Sequence, residues 1–223
     1  DVIYVGGRSF WVSMDGGEQW RADRMDAPRD ELIYRVAVSV HPAHPGRIWA
    51  LYETNGPRGI VLTRSSNHGR TWSEGLRHPF GTLSVGQWKM EFAVSPTDTS
   101  LFYAGGIYMH RSRDGGRTFR TVSEPNYPSA RWMHVDVRSM MVFGRSGNDI
   151  LVAGHDGGVS ISYNGGDSWR DVSGKGLAIT QFWRIAYDPA RKRTYGGTQD
   201  LGLLMLQDGT WENMKIYGDV YDG

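Results

Sequence analysis

The sequence has no cysteine, no excess of charge of either sign and no long apolar run. Each absence excludes something. Without thiols there is neither a disulfide framework nor a thiolate zinc site. Lys and Arg number 25 against 24 acidic residues, a net charge of +1 with no charge run, so nothing points to nucleic acid or a membrane surface. No stretch approaches the roughly 18–20 apolar residues that span a bilayer as a helix. Phe is scarce at 7, while Trp is 9 and Gly 30, a balance that suits short strands and frequent turns. No segment sustains a 3.6-residue period, so almost no helix is expected. There is no P-loop, no dinucleotide motif and no Ser-His-Asp order; no cofactor and no metal are expected. The chain starts at Asp1 inside the strand-like run Val2-Ile3-Tyr4-Val5, without an initiator Met, which suggests a removed leader or a piece of something longer.

What is present is a repeat. The skeleton Ser, any, Asp or Asn, any, Gly, any, polar, aromatic occurs four times. The copies run from Ser13 through Asp15 and Gly17 to Trp20, from Ser65 through Asn67 and Gly69 to Trp72, from Ser112 through Asp114 and Gly116 to Phe119, and from Ser162 through Asn164 and Gly166 to Trp169. Their starts lie 52, 47 and 50 residues apart, a near-constant interval that marks a repeat architecture. The Asp or Asn can accept from backbone N–H groups two residues on and close a turn. The Gly supplies positive φ. The aromatic points back from the next strand and is expected in the core. These acidic and amide residues are therefore read as turn locks before catalysts.

Between the boxes, strands alternate with breaks such as Ser95-Pro96 and Asp188-Pro189. Ile33 to Val40 alternates cleanly. Four antiparallel strands per repeat of about 50 residues is the pattern of a β-propeller blade. The expected fold is all-β, with blades at about 1–30, 31–80, 81–128, 129–176 and 177–216, that is, four and a half to five blades. The first unit lacks its innermost strand, and the last turn, Gln207-Asp208-Gly209, lacks the box serine. Ile216 to Tyr221 could supply the missing strand and close a ring. An incomplete arc, covered by further blades of the same chain or by a partner, is the favoured expectation.

The boxes resemble the Asp-box (BNR) repeats of sialidases, sortilin-type receptors and xyloglucan-hydrolase-type propellers. A longer run is more specific: His134-Val135-Asp136, Ala153 to Val159 around His155 and Asp156, Gly176 to Trp183, and Gly196-Gly197-Thr198-Gln199-Asp200-Leu201-Gly202. It resembles bacterial secreted Asp-box propellers of the sortilin and xyloglucanase-like group, in which Asn usually stands where Leu201 does. The resemblance implies export, to the extracellular space, periplasm or cell envelope. The Phe/Tyr-Arg-Ile-Pro motif of sialidases is not matched by Trp183-Arg184-Ile185-Ala186, and a cysteine-free chain lacks the disulfide-rich module of sortilin-type receptors. Neither acidic residue of the xyloglucanases finds a matching position.

Candidate binding residues are Trp132, His134, Asp136, His155, Trp183 and Gln199, all within or next to the specific run. Asp136 and Asp200 are the nominees for a glycosidase carboxylate pair. The plainer reading is that Asp156 and Asp200 lock hairpins, and that Trp88, Trp132 and Trp183 pack between blades. Met133, Met140 and Met141 read as core filler. The expected function is a non-enzymatic secreted or envelope-associated scaffold that binds protein or glycan. The alternative is a fragment of a xyloglucanase-like glycoside hydrolase.

Overall fold

The computed structural model describes residues 1–56, 59–78, 83, 90–126, 128–145, 148–173, 180–216 and 218–221. Trp88 and the start of the expected strand at Gln87 lie outside these residues. Nineteen strands and no helix are found among the described residues. The first sheet is three-stranded: β1 (Ile3–Gly6), β2 (Phe10–Ser13) and β3 (Arg21–Asp23). The second comprises β4 (Ile33–His41), β5 (His44–Thr54), β6 (Ile60–Ser65) and β7 (Leu76–His78). The third comprises β8 (Glu91–Val94), β9 (Phe102–Gly105), β10 (Met109–Ser112) and β11 (Arg120–Thr121). The fourth comprises β12 (Val137–Phe143), β13 (Ile150–His155), β14 (Gly158–Ser162) and β15 (Arg170–Asp171). The fifth comprises β16 (Phe182–Asp188), β17 (Arg193–Thr198), β18 (Leu203–Gln207) and β19 (Thr210–Asn213). Every sheet is an antiparallel meander in chain order.

The chain forms two compact units: residues 1–155 with 160–170, and residues 156–159 with 171–223. In the first unit the cores lie between successive sheets. Phe10 and Val12 of the first sheet pack with Ile48 of the second. Trp49, Leu51 and Leu62 of the second pack with Phe92, Val94 and Phe102 of the third. Tyr103 and Met109 of the third pack with Val137, Leu151 and Trp169 of the fourth. The apolar face of a sheet must be buried against another element, and in this unit successive sheets of the repeat provide it.

Two expectations need correction. The aromatic of the second box, Trp72, is expected on the next strand, which begins only at Leu76. The intervening chain is diverted: Ser73 N donates to Arg64 O at 2.8 Å, and Gly75 N to the Asp26 carboxylate at 2.9 Å. Met133 is core at 1% exposure, but Met141 is 59% exposed and fills nothing. The first sheet has three strands among the described residues. β1 pairs with β2, and the C-terminal run lies along its own unit, with Leu203 N donating to Ile216 O and Val220 N to Thr198 O. The final hairpin turns on Asp208 (φ 51°) and Gly209 (φ 79°), the left-handed pair that a two-residue antiparallel turn demands.

Candidate functional site

Each of the four boxes closes with the same hydrogen bonds. In the fourth, Ser162 Oγ donates to Asn164 Oδ1 at 2.9 Å and accepts from Gly166 N at 2.8 Å. Asn164 Oδ1 also accepts from Ser168 N at 2.8 Å, and its Nδ2 donates to Ser168 Oγ at 2.9 Å. The other copies repeat this: Gly17, Gly69 and Gly116 N donate to Ser13, Ser65 and Ser112, and Gln19, Thr71 and Thr118 N donate to Asp15, Asn67 and Asp114. The bonds reach four residues on, not two, and the serine is a full member of the lock. Asn164→Ala removes one acceptor that serves two donors. It should lower the unfolding free energy by about 1–2 kcal/mol, seen as a lower denaturant midpoint with an unchanged slope.

The box carboxylates are tied up electrostatically as well. The Thr118 hydroxyl and backbone N–H hold Asp114 at about 2, and the Gln19 N–H and Ser13 hydroxyl hold Asp15 below the usual carboxylate range. Groups pinned in the ionised form cannot act as general acids near neutrality.

The box glycines have a second duty. Beyond φ of 71°, 86° and 95°, Gly69, Gly116 and Gly166 sit so close to the preceding sheet that a Cβ would press on Phe10, Leu62 and Val122 respectively. The box aromatics lie just before the outer strands and reach the same way. Trp72 meets Phe10 edge-on at 5.0 Å, Phe119 meets His78 at 5.3 Å, and Trp169 Nε1 donates to Val122 O at 2.9 Å. Trp169 is 9% exposed. Trp20 breaks the expectation of a core residue: at 42% exposure, its Nε1 bonds only to Gly17 O of its own box. It belongs to the first sheet and, among the described residues, to none of the buried clusters.

The candidates from the specific run fall into two groups. In the first unit, His134 stacks on His155 with ring centroids 5.8 Å apart and an interplanar angle of 22°. His155 is 7% exposed, and its Nε2 shares a 2.9 Å bond with the Ser160 hydroxyl, which is itself buried. Asp136 adopts φ 69°, and its N–H donates to Ile107 O of the third sheet. Trp132 is half-buried and bridges to Glu124 in the preceding connection. In the second unit, Gln199 N donates to Gln181 O, and Asp200, at φ 64°, donates its N–H to Asp219 Oδ1 at 2.9 Å. Trp183, 44% exposed, lies against Tyr221 with centroids 5.5 Å apart. Asp156 and Asp200 both occupy hairpin turns, between β13 and β14 and between β17 and β18. Among the described residues no three His, Asp or Glu side chains converge as a metal site.

The arginines in and beside the boxes are not among the candidates that the sequence singles out. The residue before each box serine is Val12, Arg64, Arg111 or Ile161. Arg111 is 5% exposed and donates to Gly165 O at 2.7 Å and to the Asp167 carboxylate at 2.8 Å, both in the following box. The signal was available: an Arg just before one box and an Asp inside the next.

No protein-family model matches the chain, and no curated protein matches it significantly. Solved structures do. A GH74 enzyme of Niastella koreensis superimposes with a TM-score of 0.56 at 12% identity, covering 97% of this chain. The chain spans 37% of that enzyme's length. YCF48 from Cyanidioschyzon merolae gives 0.47 at 13% identity, covering 98% of this chain and 83% of that one. An α-L-arabinanase of Penicillium chrysogenum, complexed with arabinobiose, gives 0.39 at 14% identity, covering 80% and 63%. At such identities the likeness concerns the fold. The fold is an all-β propeller type built of four-stranded antiparallel blades, the first of them three-stranded here.

Proposed function

We infer that this chain is a non-enzymatic, secreted or envelope-associated propeller module that binds a protein or a glycan through its blade faces and loops. The observation that carries this reading is the open face of the first sheet. Trp11, Trp20, Val5 and Met14 are 40%, 42%, 44% and 49% exposed, whereas the box aromatic of every later sheet in the first unit packs on the sheet before it. Large apolar side chains exposed together on one small sheet suit an interaction site. A protein partner or further blades of the same chain would cover it.

The box residues support the same view from the other side. Their polar atoms are consumed by backbone locks, which leaves no catalytic set among them. The alternative, a xyloglucanase-like hydrolase fragment, rests on Asp136 and Asp200 and needs them opposed across a groove. Incubation with xyloglucan and mixed β-glucans should release no reducing sugar. Cleavage that Asp136→Asn or Asp200→Asn abolishes would overturn the module reading in favour of the hydrolase.

A further inference from the structure

The seams between sheets in the first unit are not equivalent, and the difference is one of charge. Between the third and fourth sheets the seam is sealed. Arg111 pairs with Asp167, and Tyr103, opposite Arg111 in the ladder, donates its hydroxyl to Asp149 at 3.2 Å. Tyr103 and Asp149 are 0% and 1% exposed. One cation and one phenol each meet a carboxylate across the seam.

Between the second and third sheets the same positions carry different residues. Arg64 stands where Arg111 does, and Trp49 lies opposite it, where Tyr103 lies opposite Arg111. The sixth box residue is now Arg117 instead of Asp167. Ser100 replaces Asp149; the two are matched by one backbone bond, since Gly115 N donates to Ser100 O and Gly165 N to Asp149 O, both at 2.9 Å. Both carboxylates have gone and a cation has been added. Neither Arg64 nor Arg117 forms an ion pair among the described residues. Arg47, two residues before Trp49 on β5, faces the same side as Trp49 and Arg64.

This seam is also open. Two adjoining concavities of about 530 and 230 Å³ share Trp49, Arg64, Ser73 and Thr99. The larger adds Arg47, Ser66, Thr71 and Trp72, and the smaller adds Arg117 and a single carboxylate, Glu74.

The geometry points to this groove as a binding site for an acidic saccharide. A ligand carboxylate or sulfate between Arg64 and Arg117 takes the place that Asp167 holds beside Arg111. Guanidinium forks match either group in two-pronged fashion. The hydroxyls of Ser66 and Thr99 and the indole of Trp72 suit a sugar ring, which has polar edges and apolar faces. The inference rests on the binding-module reading and names its ligand class.

Titration calorimetry at low salt, with oligogalacturonate, a sulfated oligosaccharide, a neutral cello-oligosaccharide and polyglutamate, tests it. One or both acidic sugars should bind, and the neutral sugar should not. Arg64→Gln and Arg117→Gln should each weaken binding at least tenfold, while Arg191→Gln, at an exposed arginine already paired with Asp188, should change nothing. Arg117→Asp restores one of the two carboxylates beside Arg64 and should abolish binding without lowering the thermal midpoint. The proposal is overturned by unchanged affinity in Arg64→Gln and Arg117→Gln, by equal binding of the neutral sugar or polyglutamate, or by no binding at all. Hydrolysis of a bound sugar would instead overturn the module reading.

Discussion

Trp169→Ala is expected to lower the unfolding free energy by about 3–5 kcal/mol. The indole is almost fully buried in the core between the third and fourth sheets, and its N–H bonds to Val122 O. Alanine leaves both a cavity and a carbonyl without its donor. The matched change Trp20→Ala, at the same box position but 42% exposed, should cost less than about 1 kcal/mol. Denaturant titration of the two variants side by side measures the difference. Equal losses would show that the contact with a preceding sheet is not what the box aromatic contributes.

Acid should destabilise the fold through its buried histidines. His110 on β10 is 2% exposed, and burial pushes its imidazole down to about 4. The unfolded chain takes up this proton below the ordinary value near 6.5, whereas the folded chain resists it. Stability is therefore unaffected above pH 6.5, falls between pH 6.5 and 4, and levels off below. The loss from this group is about 3 kcal/mol across that window. Burial also depresses His78, which acts in the same direction. Glu53 and Glu91 are raised by burial and oppose the trend, since they take up protons more readily when folded. Asp114 contributes separately: its stabilisation is present above its ordinary value near 3.8 and is lost as pH falls through about 2. The difference in stability between the parent and His110→Gln, followed from pH 7.5 to 4, isolates the histidine. A difference that does not change with pH would show that His110 is not protected from protonation.

Much of the fold was legible because the box is a local device. Serine, Asx and glycine bond within eight residues of chain, so their spacing alone reveals the hairpin and its period. The strand count and the antiparallel order follow from that period. What failed was governed by contacts distant in sequence. Trp72 and Trp20 look alike in the sequence, yet Trp72 packs edge-on against Phe10 while Trp20 is 42% exposed. The late start of β7 depends on Asp26, 49 residues away from the Gly75 it binds. The candidate site shows the same division. His134 and His155 were selected for their place in a motif and do meet, through a stacking contact across the sheet rather than through any spacing of theirs. The open seam escaped notice because Arg64 and Arg117 belong to different repeats, and reading one repeat at a time hides a mismatch between two.

Arg111 matches Asp167 of the blade that follows, and Trp169 matches Val122 of the blade before. Neighbouring blades are therefore not interchangeable, although each is built to one plan. A tandem copy of the third blade placed behind itself would set Arg111 against a second Arg117, and a sealed joint would become a cationic mouth. The sixth residue of the box, together with the residues matching Tyr103 and Asp149, therefore sets whether a joint is sealed or cationic. The order of the repeats, and not the framework of any single blade, then sets the charge of each joint.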